Sequence, residues 1–380
     1  MIFEGGTRRI RLAALLFLIC VPVSAFAQEG PQGLTTPVVL PPFTPSAPSC
    51  SAPPGLQKIL TFAQDNERQF MQGVARGLSE AAKKRGLEFR VVLAANDPKK
   101  MVEQVSAQRA DKVGAVVAAP VHPPSLARSL QELIWSGAYV GTVVPPPAVT
   151  LLNAPQYLTG KVLAEAAAVY IRDRLKGKAN VVLLTHDGLQ FLSPRFTAMR
   201  DVLQEMPGVA IVADISPVTV NKEGGFAMMR TILLAHPNID VVLGADTVVL
   251  GALQALREAN KARPDQFLGG IDGEPEAVAE IKSGNSPYKA SVSLSSPVFG
   301  YALGHYAADW LDGKSVPQAM DILPSLLTRD KIAQYEADFA DPGAVFADAK
   351  RRDAYLKMYG NICYDTRDRY VNFPWSSERK

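Results

Sequence analysis

The chain has 380 residues, 47% apolar and 20% charged, with 40 Lys plus Arg against 37 Asp plus Glu. That near-average composition excludes wholesale disorder, and the near-balance of charge gives no clustered basic footprint for nucleic acid. No apolar run of about 20 residues lies in the body of the chain, so it is not polytopic, and three cysteines lack zinc-site spacing.

The chain opens like an export signal. Arg8, Arg9 and Arg11 precede an apolar run over 12–26, and Ala25-Phe26-Ala27 offers small residues where a signal peptidase reads. A membrane anchor is opposed by the short run and Pro22, a lipoprotein by Ile19 before Cys20, and Sec export is preferred to a twin-arginine route. Residues 1–27 are therefore expected to be removed, which places the mature chain in the periplasm and leaves Cys50 and Cys363 in an oxidising compartment. One disulfide between them is expected, the alternative being two free thiols. Closing so long a loop is worth at most about 5 kcal/mol in the chain-entropy account.

A stiff leader follows over 28–55, with eight prolines between Pro31 and Pro54. Proline removes donors and favours extended backbone, so this segment has no core of its own.

From Gln57 onward, apolar runs alternate with amphipathic stretches. Strands are predicted at 59–63, 89–94, 113–119, 139–144, 181–185, 209–215, 239–245 and 267–271. Helices are predicted at 69–85, 99–109, 125–136, 156–175, 195–205, 223–235, 248–260 and 275–282. Continuous apolar strands separated by helices imply α/β lobes with parallel sheets covered on both faces. Pro145-Pro146-Pro147 breaks the rhythm between two blocks, giving lobe 1 over 56–150 with 295–320 and lobe 2 over 151–294 with 321–328. Late strands at 290–293 and 321–327 are expected to cross between lobes, leaving a cleft at the carboxyl ends of the strands.

Three stretches carry a resemblance. One runs from Leu233 through His236-Pro237-Asn238-Ile239-Asp240 to Asp246 and on to Leu256; another is Gly269-Gly270-Ile271-Asp272-Gly273; the third is 73–88. In this order and spacing they resemble the type I periplasmic solute-binding proteins, the sugar-binding, ribose-binding-protein-like group of ABC transporters, over about 56–327. The resemblance implies two Rossmann-like lobes joined by a hinge. It also implies a cleft in which Gln64, Arg68, Phe70 and Met71 follow the first strand, with Asp246 and Asp272 at later strand ends. His186 at a strand end faces the cleft mouth on the same pattern, and Ser193 aligns with a ligand-binding arginine that Arg195 follows closely. Phe70 suits a sugar's C–H face, Arg68 a carboxylate or phosphate, and Asp272 ligand hydroxyls. Against these stand bland roles: core packing for Phe70, a solvated charge for Arg68, helix capping for Asp246 and Asp272, and polar loop positions for the histidines.

Much of the sugar-specific polar set is absent, with Val144-Pro145, Ala245 and Leu294 at family polar positions. The expected ligand is a small molecule, sugar-like or less hydroxylated. No Gly-x-Ser-x-Gly elbow, phosphate loop or HExxH is present, so neither an enzyme nor a cofactor or metal site is expected. The expected role is the periplasmic binding subunit of an ABC importer, a monomer that meets an inner-membrane permease. The rival is a periplasmic sensor subunit signalling to a membrane kinase or chemoreceptor. The extension over 329–380 holds seven aromatics past residue 340 and is expected to pack on the body, with an amphipathic helix over 344–359.

Overall fold

The computed structural model describes residues 1–2, 38–143, 146–188 and 191–378. The export signal and the start of the leader lie outside the described residues, apart from Met1 and Ile2.

Two sheets organise the chain. The first block runs β1 (Gln57–Gln64), α1 (Gln69–Arg85), β2 (Glu88–Leu93), α2 (Pro98–Ala110), β3 (Val113–Ala118), α3 (Pro123–Trp135), β4 (Tyr139–Thr142) and β5 (Thr150–Asn153). The second runs α4 (Gln156–Arg174), β6 (Ala179–Leu184), α5 (Ser193–Gln204), β7 (Val209–Ile215), α6 (Lys222–Ala235), β8 (Val241–Gly244), α7 (Asp246–Glu258), β9 (Phe267–Asp272), α8 (Pro275–Ser283) and β10 (Tyr288–Ser293). The chain then returns through α9 (Ser296–Leu311) and β11 (Ala319–Ile322), and crosses again to β12 (Ser325–Leu327). The extension adds α10 (Ile332–Ala340), α11 (Pro342–Ala347), α12 (Ala349–Tyr355), β13 (Leu356–Tyr359) and a 3-10 turn at Tyr364–Arg369.

The first sheet has the order β13-β11-β5-β4-β3-β1-β2 and the second β12-β10-β9-β8-β6-β7. All pairings are parallel except β11 with β13 and β10 with β12. The parallel core follows from strands such as β3, buried along its whole length with alternate residues facing opposite helix layers. Local signals set the helix ends. Asp97 accepts from the N–H groups of Lys99 and Lys100 to start α2, with Pro98 in its first turn. Gly86 ends α1 at φ 70°. Helices α1 and α9 pack so closely that a Cβ at Gly77 would run into the backbone of Pro297 and Tyr301.

The structure moves several predicted boundaries. β5 belongs to the first sheet, so the first crossing lies after Asn153 rather than near 150. The single strand expected at 321–327 is two strands, β11 in the first sheet and β12 in the second. The helix expected over 344–359 is broken: the Asp348 carboxylate caps a new start at Lys350 and Arg351, and the chain then extends into β13. That strand exists because β11 offers an open edge, which the helical spacing of the sequence does not reveal.

Leader and extension wrap the first lobe together, and the extension also packs on the second. Cys50 and Cys363 are joined by a disulfide. The Phe43 N–H donates to Met358 O and the Gly360 N–H to Pro41 O, so the leader covers the free edge of β13. The Trp375 ring packs on Tyr359, and its indole N–H donates to Val38 O. The Glu378 carboxylate accepts from the backbone N–H of Tyr157 and Leu158, at the start of α4.

Candidate functional site

The carboxyl ends of the strands in both sheets face a gap crossed by the β5–α4, β10–α9 and β11–β12 connections. A cavity of about 410 Å³ lies there, lined by Phe70, Arg76, Asp272, Glu274, Ser296 and Phe339 among others. Both lobes, a crossing and the extension therefore contribute to one wall.

The lobe-1 side is the loop after β1. The Asp65 carboxylate accepts from Asn66 N–H at 2.7 Å and pairs with the Arg68 guanidinium at 3.0 Å. The Gln64 amide is buried and donates to Asn66 O at 2.5 Å, while Gln64 O accepts from Ala94 N–H, tying the loop to the end of β2. These bonds fix the first turn of α1. From it Gln69, Gln72, Gly73 and Arg76 face the cavity together, at the three- and four-residue spacing of one helix face. Phe70 is half-buried, lines the cavity and tilts against Phe299 of α9, with ring centres 5.8 Å apart.

The lobe-2 side is the turn after β9. Asp272 has φ 122° and Gly273 φ 70°. A non-glycine residue held there costs on the order of 1–3 kcal/mol, and such strain concentrates at functional sites. Three neighbours hold the turn. Glu274 N–H donates to the Asp246 carboxylate at 2.8 Å, Gly273 N–H donates to Ser291 Oγ at 3.1 Å, and the Tyr335 hydroxyl donates to Gly273 O at 3.0 Å. Asp246 is wholly buried and also accepts from the Tyr288 hydroxyl at 2.7 Å and from Ser291 Oγ. Glycine is required at 270, where a side chain would occupy the space of the Asp246 carboxylate.

Among the described residues, no hydrogen bond reaches the Asp272 carboxylate. It opens on the cavity instead. Burial raises its pKa, against the pull of Arg195 and Arg68. Burial likewise pushes Glu274 up to about 7, helped by the charges of Asp272 and Asp246 and opposed by Arg68. Asp246 is raised to about 6 by burial, against the hydrogen bonds from Tyr288 and Ser291. The buried Ser295 Oγ, at the β10–α9 crossing, has no partner among the described residues. The site therefore offers the Asp272 carboxylate on one side and aromatic surface on the other, which suits a small ligand with hydroxyl donors and an apolar face.

The residues expected from the sequence separate into two groups. Phe70 and Asp272 line the cavity. Arg68, one residue before the lining Gln69, is mostly exposed and paired with Asp65. Met71 is turned into the lobe-1 core, one position past the cavity-facing stripe. Asp246 is sealed inside lobe 2 and acts through the turn it holds. Gln64 is spent on its own loop. Arg195 is buried, donates to Gln156 Oε1 at 2.8 Å, and lends its charge to Asp272 without a direct ion pair among the described residues. Ser193 begins α5. His186 is half-buried, and its pKa is lowered by burial and then by Arg195; its neighbour Asp187 is bound to Arg200 at 2.5 Å. Sequence reasoning missed Arg76, Glu274, Ser296 and Phe339. The α1 stripe of Gln69, Gln72 and Arg76 could have revealed the first; no pattern marks Phe339.

Two α/β lobes, parallel in their cores and joined by repeated crossings around a central cavity, define a bilobal binding fold of type I. A family model described as a periplasmic binding protein domain matches residues 59–315. The chain belongs to this family of type I periplasmic binding proteins, with the sugar-binding group of ABC transporters. The ribose import binding protein of Bacillus subtilis is 28% identical over 262 residues, 66% of this chain and 80% of that protein. A xylitol-binding protein of Mycolicibacterium smegmatis is 28% identical over 268 residues, covering 67% of this chain and 73% of the relative. Among solved structures, an ABC transporter solute-binding protein of Bacillus halodurans with bound myo-inositol superposes with TM-score 0.65 at 22% identity, over 74% of this chain and 98% of that one. A 5-methylthioribose transporter solute-binding protein of Thermotoga lettingae in complex with 5-methylthioribose gives 0.65 at 22%, over 77% and 94%.

Proposed function

We propose that this protein is exported to the periplasm with loss of residues 1–27 and serves as the binding subunit of an ABC importer. Its ligand is a small polyol or sugar-like molecule held between the lobes. The reading rests on one observation above all: the Asp272 carboxylate, without a hydrogen bond among the described residues and held at positive φ, opens on a cavity of about 410 Å³ that both lobes line. A ligand that contacts both walls favours the closed arrangement, so binding shifts the open–closed population toward the form a permease accepts.

Ribose, xylitol, myo-inositol and 5-methylthioribose form a natural probe panel, since relatives and structural neighbours carry those names. Calorimetry should find at least one that binds, with X-ray scattering reporting a smaller radius of gyration on binding. Native mass spectrometry of protein taken from its own periplasm should find a bound small molecule, and amino-terminal sequencing should begin at Gln28. A protein that binds none of the four and carries nothing from the periplasm contradicts the reading.

The sensor reading draws on the extension, which adds surface beyond the matched residues 59–315. Genes for a permease and an ATPase beside this one favour import; a histidine kinase gene favours sensing.

A further inference from the structure

The extension does more than cover a sheet edge. Helix α10 lies outside the matched residues 59–315, yet it reaches the cavity. Ile332 and Tyr335 are buried in the lobe-2 core, and the Tyr335 and Phe339 rings pack with centres 5.3 Å apart. Phe339 is thereby presented, half-buried, at the cavity wall. On the lobe-1 side Arg76 sits 4.6 Å over the Phe339 ring and donates to the Phe339 carbonyl. The guanidinium covers part of the Phe339 ring, and the rest of that ring lines the cavity together with Phe70. After α10 the chain returns to lobe 1, where Phe346 packs against Tyr301 and His305 of α9. Helix α10 is anchored on both sides, so Phe339 is a fixed feature of the site.

Building on the cleft-binding reading, we propose that Phe339 is a specificity-determining residue. It selects a polyhydroxylated ligand that carries an apolar substituent at the end that meets Phe339. An aromatic wall gains by covering apolar surface and offers nothing to a hydroxyl, which would lose its water there.

The test compares ribose with 5-methylthioribose by calorimetry on the full mature chain, in wild type, Phe339→Ala and Phe339→Leu. Covering a methylthio group is worth about tenfold in affinity, so wild type should prefer 5-methylthioribose by about that factor. Phe339→Ala should erase the preference, and Phe339→Leu should restore most of it. Unliganded melting temperatures confirm that each variant folds. Two results overturn the proposal: a wild type without the preference, or a preference that survives Phe339→Ala, which with equal losses for both sugars marks Phe339 as a tether between lobes. A wild type that binds xylitol or myo-inositol but neither ribose sugar overturns this proposal and leaves the cleft reading standing. One that binds none of the four overturns both.

Discussion

The body and its wrap are held by different kinds of interaction. In the body, strands β1, β3, β6 and β8 are buried on both faces and helices clamp them, so stability comes from area removed from water. In the wrap, residues 38–55 and 329–378 bury fewer side chains, among them Ile332, Tyr335, Val345 and Leu356, and add separate devices: one disulfide, an antiparallel edge strand, a few backbone bonds and aromatic pairs such as Tyr359 with Trp375. The body tolerates the loss of any one contact in proportion to its size. The wrap adds a few directed contacts to its burial, and one of its helices reaches the interlobe cavity. The lesson is that a segment outside the repeating strand–helix rhythm can still line the interlobe cavity when it is anchored at both ends.

Breaking the wrap covalently should have the largest effect on stability. Replacing Cys50 and Cys363 by serine should lower the unfolding free energy by about 2–5 kcal/mol in denaturant titrations. Ligand affinity should hold, because Phe339 is anchored by Ile332, Tyr335 and Phe346 rather than by the disulfide. A large loss of affinity would show that wrap and site are one unit.

Within the body, Asp246→Ala should cost about 3 kcal/mol. It strands the Tyr288 hydroxyl, the Ser291 hydroxyl and the Glu274 N–H in a buried pocket. Affinity should fall as well, because the turn that presents Asp272 loses its support. Unchanged affinity would confine Asp246 to the lobe-2 core.

The smallest effect concerns pH. Glu274 is raised to about 7 by burial and by Asp272 and Asp246, so its folded pKa exceeds its unfolded value. Its contribution is fully present below pH of about 4.5 and is lost as pH rises toward 7, where the folded state must ionise a disfavoured carboxyl. Glu274→Gln should therefore raise the melting temperature more at pH 8 than at pH 5. An equal change at both would place Glu274 in a solvated setting.

Legibility in the sequence followed the same division. Alternating apolar runs revealed the two parallel sheets, because burial on both faces leaves continuous Val, Ile and Leu. The place of Asp272 on the cavity wall was legible because it ends such a run before Gly273 and matches an acidic position of the resembled family. Asp246 was read by position alone, and position cannot tell a carboxylate that faces the cleft from one that holds the turn beneath it; only Gly270, which makes room for it, hints at the difference. Met71 was displaced by one residue of helix rotation. Strand β13 and Phe339 were invisible, since an edge strand and a wall residue are defined by what they meet. The Cys50–Cys363 pairing was legible from export and an even count.

The central claim is that the interlobe cavity is the ligand site and that Asp272 receives the ligand. Calorimetry of Asp272→Ala against wild type, with whichever probe sugar or polyol binds, tests it most directly. The account predicts an affinity loss of at least about tenfold, one charge-assisted hydrogen bond, with the melting temperature of the unliganded protein preserved. Equal affinity in the two proteins would contradict it.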